Sequence, residues 1–350
     1  MSTLSNPTQP AVTLKDLSQH LGLSSATISI VLSGSPRAKN LRAETRERVR
    51  RAARDLGYRP NGLARSLRVK KTHMIGVLVP RINSHYGNGV MTGLEGFLQG
   101  QGYTPLAISH GHEEIQAQRR VQTLVERQID GLVTVSAPEV DAPVPTISIA
   151  GYHAAGREAD VTIDHDRAVY RALAHLQQLG HRRIAFFKGN PDNPDTGRRW
   201  RAAQTAARSL GLEILPELVL QMDPARTGPM RRGGYGAGFR LGRQLLDSGR
   251  PFTALFAFND FSAIGAMRAF AEAGLSVPRD VSVVGFDDVD NAEYNSPGLT
   301  TVRQPLEAMG ELAGRLLLAA VDPKMPQIGA GPRRLDADLI IRGSTAAAAA

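Results

Sequence analysis

The apolar positions of this chain change rhythm once. Between residues 12 and 57 they recur three and four apart in short bursts, and from about 74 onward blocks of consecutive apolar residues alternate with amphipathic stretches. In the first part Thr13 can cap a helix whose Asp16 favours the positive N-terminal end, with Leu14, Leu17 and Leu21 on one face. Gly22 permits a tight turn. Ser24 or Ser25 can then cap a second helix in which Ile28, Val31 and Leu32 point inward and Ser25, Ala26, Ser29 and Ile30 face out. After a loop over 33–41, a third helix carries Val49, Ala52, Ala53 and Leu56 at helical spacing, with Arg46, Arg48, Arg50, Arg51 and Arg54 around its other sides. It starts at Arg42, a poor capping residue, and ends at Gly57.

Beyond this, 74–79, 105–108, 131–135, 146–149, 183–187, 254–258 and 281–286 read as buried strands. Between them lie apolar helical stripes: Val90, Leu94, Phe97 and Leu98; Val121, Leu124, Val125 and Ile129; Ala263, Met267, Phe270 and Ala271. Strand and helix in alternation predict parallel sheets covered on both faces, with ligands beyond the carboxyl ends of the strands. The length of this pattern is enough for two doubly wound units. Residues 1–11 and 344–350, the latter ending in five alanines, read as disordered tails.

Composition adds mainly exclusions. With 350 residues, 42% hydrophobic and 21% charged, the chain has the make-up of a soluble globular protein of two or three domains. The absence of cysteine removes disulfides, thiolate metal sites and cysteine nucleophiles, and is compatible with a reducing cytosol. No charged start followed by an apolar run marks a secretory signal, and no stretch approaches the roughly 18 apolar residues of a membrane helix. A cytoplasmic protein without a membrane partner is the expectation. The net charge of +9 is unevenly placed: residues 1–73 hold 14 Lys+Arg against 4 Asp+Glu, leaving 28 against 29 for the rest. A basic end on a near-neutral body points to a polyanion partner, because lysine and arginine release counterions condensed on phosphates. A solvated basic face gives the same count.

Two short helices about a glycine turn, with small polar residues at the exposed start of the second, have the geometry that enters a DNA major groove, Ser25 and Ala26 reaching base edges first. An ordinary three-helix bundle shares that pattern. The segment Tyr58-Arg59-Pro60-Asn61-Gly62-Leu63-Ala64-Arg65-Ser66-Leu67-Arg68 decides between them. Together with Val12-Thr13-Leu14-Lys15-Asp16-Leu17, Gly22-Leu23-Ser24, Ala26-Thr27-Ile28-Ser29 and Glu44-Thr45-Arg46-Glu47-Arg48-Val49, it resembles the lactose-repressor (LacI/GalR) family of bacterial regulators. The resemblance runs from Val12 to about Arg342.

It implies an all-α helix-turn-helix domain over 12–59, a hinge helix and linker over 60–73, and an α/β core over 74–343. That core would be like the periplasmic sugar-binding proteins: two subdomains, about 74–161 plus 304–328 and about 162–303 plus 329–343, joined by three crossovers around an effector cleft. The implied partners are pseudo-palindromic double-stranded operator DNA, a small-molecule effector such as a sugar or related metabolite, and a second copy of the chain in a homodimer or tetramer. Thr13, Ser24, Ser25, Ala26, Thr27, Ser29 and Ile30 would lie at the DNA, joined by Asn61, Ala64, Arg65 and Leu67 of the hinge, with Leu67 wedged into the minor groove. Ile30 stands where the family commonly has arginine, so a bidentate contact to guanine is replaced by apolar contact, for example with a thymine methyl.

For the effector, the resemblance points to Ser84, His85 and Tyr86 with Asn83 after the first strand, Asp164, Arg199, Asn259 and Asp287. A carboxylate at a strand's carboxyl end, such as Asp287, can accept two hydroxyl hydrogen bonds from a sugar or nucleoside-like ligand, or can cap a helix. Many sugar-sensing relatives carry an aspartate and an aromatic where this chain has Ala150 and Pro224, which points to a ligand unlike a simple hexose; 223–234, with Arg226, Arg231 and Arg232, is long and basic and reads as a solvated loop, the alternative being a contact for an anionic ligand. A solute receptor or a sugar-processing enzyme on the same core is the rival reading. Against an enzyme, there is no catalytic set: Gly233-Gly234-Tyr235-Gly236-Ala237-Gly238 lacks dinucleotide-fingerprint spacing, and Asp287-Asp288-Val289-Asp290 lacks a calcium-loop register. His110 and His112, two apart after a strand, read as a polar loop rather than a metal site, and no cofactor is expected.

Overall fold

The computed structural model describes residues 12–33, 35–58, 71–82, 84–111, 113–151, 160–223, 234–326, 328–329 and 333–348. They fall into two compact units that divide between Thr72 and His73.

In the first unit, α1 (Leu14–Leu21) begins with a reciprocal cap: Asp16 N–H donates to Thr13 Oγ1 at 3.3 Å and Thr13 N–H to Asp16 Oδ2 at 2.8 Å. Gly22 closes it at φ 64°, a left-handed backbone that favours glycine. Ser24 caps α2 (Ser25–Leu32), accepting Thr27 N–H at 3.1 Å. A 3-10 turn, Pro36–Asn40, leads to α3 (Ala43–Asp55), whose Arg42 makes no side-chain cap. Leu17, Leu21, Ile28, Val31, Val49, Ala52 and Ala53 form the core, and the Arg48 guanidinium donates to the Leu21 carbonyl, tying α3 to the end of α1. Leu56, expected to point inward, is instead 37% exposed, because it caps the helix rather than continuing its face.

The second unit holds, among the described residues, two six-stranded sheets. The first comprises β1 (Met74–Val79), β2 (Thr104–Ser109), β3 (Gly131–Val135), β4 (Thr146–Ile149), β5 (Val161–Ile163) and β11 (Arg333–Leu335), in the order β11-β5-β4-β3-β1-β2 and all parallel. The second comprises β6 (Ile184–Lys188), β7 (Val219–Gln221), β8 (Ala254–Phe256), β9 (Ser282–Asp287), β10 (Thr300–Arg303) and β12 (Asp338–Ile340), in the order β12-β10-β9-β8-β6-β7 with only β12 antiparallel. Each sheet reverses its winding beside its first strand, which opens a crevice beyond the carboxyl ends there.

Side-chain alternation builds the layers. Ile75, Val77 and Val79 of β1 meet Val90, Leu94 and Leu98 of α4 (His85–Gly100) and Leu317 of α11 (Leu306–Val321), whereas Leu78 faces Val121 and Leu124 of α5 (Glu114–Glu126). Likewise Phe186, Phe256 and Val284 face α6 (His165–Gln178) and α7 (Pro194–Ser209), while Ala185, Leu255 and Val283 face α8 (Gly234–Asp247) and α9 (Asp260–Glu272). A short α10 (Asp290–Tyr294) follows β9. Two positions depart from the expected burial: the middle of β2 is exposed because it is an edge strand, and Ala271 lies on the outer face of α9.

The two helix pairs pack at backbone contact. A Cβ on Gly238 would lie 2.1 Å from the Ser262 carbonyl oxygen, and one on Gly310 would lie 2.0 Å from that of Val90. Gly234, Gly238 and Gly242 thus belong to a helix-packing face. Since neither neighbour is a flexible side-chain end, Gly310→Ala should cost about 1–3 kcal/mol, as overpacking does. The check is a lowered thermal midpoint with unchanged far-ultraviolet circular dichroism.

Three passages connect the subdomains, at Asp164, at 304–305 and at 336–337, which matches the crossovers implied by the resemblance. The third is gripped by Arg171, which donates to Asp336 Oδ1 and Oδ2 at 3.0 and 2.9 Å and to the Ala337 carbonyl at 2.7 Å. The division nevertheless needs correction: 162–163 and 333–335 belong to the first sheet, not to the second subdomain. Three-residue strands, one of them Arg-Arg-Leu, show no periodicity to read.

The C-terminal residues are not frayed as expected through Ala348. Ser344 is fully buried; its Oγ accepts Thr300 N–H at 2.8 Å and donates to the Val283 carbonyl at 2.6 Å. Ala346 N–H reaches Ser282 Oγ at 3.0 Å and Ala348 N–H the Leu179 carbonyl at 2.8 Å. The small side chains that made this segment look featureless are what let it lie against the sheet.

Candidate functional site

In the N-terminal unit the start of α2 presents an accessible polar surface. Ser24, Ser25 and Ala26 are exposed, Thr27 is half-buried with its hydroxyl 2.9 Å from Ser24 Oγ, and Ser29 and Ile30 are half-buried beside the inward Ile28 and Val31. Thr13 is exposed and occupied by its cap with Asp16. Asn61, Ala64, Arg65 and Leu67, expected at the DNA from the hinge, lie outside the described residues.

In the second unit a cleft of about 380 Å³ opens where the strand ends of the two sheets face each other. Ser84, His85 and Tyr86 line it from the first subdomain, and Arg199, Asn259 and Asp287 from the second. Four helices begin at its edge, α4, α7, α8 and α9, and three of them are capped by lining residues: Ser84 Oγ accepts Gly87 N–H at 3.0 Å, Asn193 Oδ1 accepts Asp195 N–H at 2.9 Å, and Asn259 Oδ1 accepts Ser262 N–H at 2.9 Å. Asp164 is the exception among the expected residues. It caps α6 through Arg167 N–H at 3.0 Å and does not line the cleft.

Arg199 is the centre of the charged wall. Its guanidinium carbon lies 3.6 Å from the Phe286 ring centroid and 4.4 Å from that of Phe258, and it donates to the Phe258 carbonyl. Asp195, one turn earlier on α7, lies 3.9 Å from Arg199, 3.1 Å from Arg198 and 3.3 Å from His165 Nε2. Burial alone would raise the Asp195 carboxyl, but His165 and then the two arginines outweigh it and hold it well below the usual carboxylate range. Asp287 goes the other way: burial pushes it up to about 6, against the pull of Arg199 and of Gln304, whose Nε2 donates to Asp287 Oδ1 at 2.7 Å. Among the described residues, the Tyr86 hydroxyl, Arg199 Nε and Gln304 Oε1 are buried without a hydrogen-bond partner. Unspent polar groups of this kind at a cleft are what a polar ligand satisfies.

Comparison with known proteins fixes the lineage. Residues 13–61 match the model of bacterial regulatory proteins of the lacI family, and 173–345 that of the periplasmic binding protein-like domain. The HTH-type transcriptional repressor CytR of Escherichia coli (strain K12) is 30% identical over 97% of this chain and 98% of its own length. The chain belongs to the lacI family of bacterial regulatory proteins. The lac repressor dimer bound to operator and the anti-inducer ONPF superposes with a TM-score of 0.85 at 25% identity, covering 97% of this chain and all of that one. A transcriptional regulator CelR–cellobiose complex gives 0.68 at 28% identity over 95% and 99%. This lacI-family member is a DNA-binding transcription regulator and not an enzyme. Among the described residues no helix is long and apolar enough to cross a membrane.

Within this family frame the departures acquire positions. Ala150 is buried at the end of β4 with φ 49°, an uncommon backbone for a residue with a Cβ. Pro224 and the arginines at 226, 231 and 232, with Asn83, lie outside the described residues. Sequence reasoning missed Asp195, Gln304, Tyr235, Phe258 and Phe261, all of which line the cleft. Only Asp195 carried a signal, four residues before Arg199 and so on the same helix face.

Proposed function

We propose that this regulator is a cytoplasmic homodimeric repressor whose affinity for a pseudo-palindromic operator is set by a neutral polyhydroxylated metabolite, a sugar or a nucleoside, bound in the cleft. The observation that carries the ligand class is Asp287 beside Gln304 and Arg199: a carboxylate and an amide oxygen to accept hydroxyl protons, next to a guanidinium N–H to donate to a ring or hydroxyl oxygen. Charge supports neutrality, since the lining arginines, Arg81 and Arg199, face three aspartates, Asp195, Asp223 and Asp287. Tyr86, Tyr235, Phe258 and Phe261 supply apolar faces.

The test is a thermal-shift screen of sugars, sugar phosphates and nucleosides. A neutral compound should raise the midpoint of the full chain and fail to do so with Asp287→Ala; stabilisation by phosphate esters alone would sink the reading. Because the ionised carboxylate is the acceptor, affinity should rise with pH through about 6, the value to which burial brings Asp287. A flat profile between pH 5 and 7 would remove Asp287 from the contact.

For the DNA, the 60–73 segment would couple the two units, with Leu67 unstacking a central base step. Leu67→Ala should weaken specific binding more than nonspecific binding in fluorescence anisotropy. Equal loss on both would remove the wedge.

A further inference from the structure

The strand that carries Asp287 ends in two consecutive residues with left-handed backbone, Asp287 at φ 111° and Asp288 at φ 56°. Residues with a Cβ populate this region sparsely, and they persist there only where their surroundings hold them. Here the holding is visible on three successive residues. Gln304 bonds the Asp287 carboxylate, as described. Val289 N–H donates to Asp260 Oδ2 at 2.8 Å, and Asp260 Oδ1 accepts the Thr301 hydroxyl at 2.5 Å. Between them, the Asp288 side chain is 6% exposed and its two oxygens are divided between two arginines: Oδ2 accepts Arg303 Nε at 2.5 Å and Oδ1 accepts Arg342 Nη1 at 2.7 Å. Arg342 Nη1 also reaches the Leu299 carbonyl at 3.0 Å.

We infer that Asp288 is a positioning residue for the cleft: without lining it, the Asp288–Arg303–Arg342 clamp holds the strained turn that aims the Asp287 carboxylate inward. The inference rests on the reading that Asp287 contacts the ligand, but the geometry carries it further. Arg303 ends β10 immediately before the passage at 304–305, and Arg342 stands two residues past β12, the strand that the passage at 336–337 leads into. The aim of Asp287 is therefore tied to two of the three connections on which the subdomains turn. A change in subdomain angle would be felt at this carboxylate, and a ligand on it would be felt at the passages.

The experiment needs no ligand. In the full-length chain labelled with carboxyl-¹³C aspartate, the Asp287 signal is assigned by its loss in Asp287→Asn and titrated against pH in wild type, Asp288→Asn, Arg342→Met and Arg342→Lys. By charge alone, removing Asp288 would lower the Asp287 inflection and removing Arg342 would raise it. If the clamp positions the turn, both Asp288→Asn and Arg342→Met release the carboxylate toward solvent. Both inflections then fall from about 6 toward the ordinary aspartate value, by at least about half a unit, since burial is the largest cause of its elevation. Arg342→Lys, which keeps an ion pair, should stay close to wild type. Shifts of opposite sign for Asp288→Asn and Arg342→Met, or no shift in either, would overturn the inference. Cooperative thermal unfolding of each variant verifies that the fold is retained. A metabolite screen that fails would leave this result standing, and the reverse also holds.

Discussion

Deleting residues 1–72 is expected to abolish operator binding and leave metabolite binding at its full-length strength. The positive charge excess lies in that segment; the remaining residues, with 28 Lys+Arg against 29 Asp+Glu, have no net cationic surplus with which to release counterions. Loss of the helix that presents Ser25 and Ala26 removes direct readout at the same time. Among the described residues the two units also bury separate cores: Leu17, Ile28 and Val49 cluster with residues of the first unit, and the cleft-bearing cores draw on the second. Fluorescence anisotropy on operator DNA and the thermal-shift response to a bound metabolite read the two functions independently. For the intact chain, a dimer making about 6–10 phosphate contacts should lose roughly 10³–10⁵ in affinity between 50 and 200 mM salt. Loss of metabolite binding together with DNA binding would count against independent modules.

How much of this was legible in the sequence depended on how local each cause is. The capped helices of the first unit were readable because a cap is a contact three residues long: Thr13 with Asp16, and Ser24 with Thr27. Five- and six-residue strands such as β1 and β3 are readable because both faces are covered and the run is apolar apart from Thr134. The three-residue strands β5, β7, β11 and β12 were not, since their assignment comes from neighbours far along the chain. In the cleft the same division holds. Asp287 and Asn259 sit at strand ends and could be placed from the strand pattern and the family resemblance. Gln304 could not, because it reaches Asp287 only through the passage between subdomains. Asp164 shows the converse: a polar residue at a helix start reads as a ligand contact, and in the structure its Oδ1 caps α6 outside the cleft lining.

Asp195→Ala should be among the most damaging single substitutions in the second unit, because Arg198, Arg199 and His165 lose their shared carboxylate at once. Asp195 is 4% exposed and Arg199 equally so, and removing one member of a buried ion pair leaves the other charge uncompensated, at a cost of about 3–5 kcal/mol. Arg199 retains its place between Phe258 and Phe286, but its nearest paired carboxylate is gone. The effect reaches the first subdomain as well. Arg198, held by Asp195 through Nη1, uses Nη2 to donate to the Gly151 carbonyl at 2.8 Å, a hydrogen bond from α7 across to the end of β4. Released from Asp195, that arm loses its fixed orientation, and the ligand-contacting wall loses one of its ties to the opposite subdomain. Asp195→Ala should therefore lower the thermal midpoint by several degrees and weaken metabolite binding in the same protein, whereas Arg198→Ala, at a residue that does not itself line the cleft, should weaken binding with a smaller loss of stability. The pH response has a definite sign: a carboxyl held below its unfolded value of 3.8 contributes stability at neutral pH that is lost as pH falls below that value toward its folded one. Wild type should lose more stability than Asp195→Ala on acidification below about pH 4. Parallel acid profiles for the two would mean that the Asp195 cluster adds no net stability.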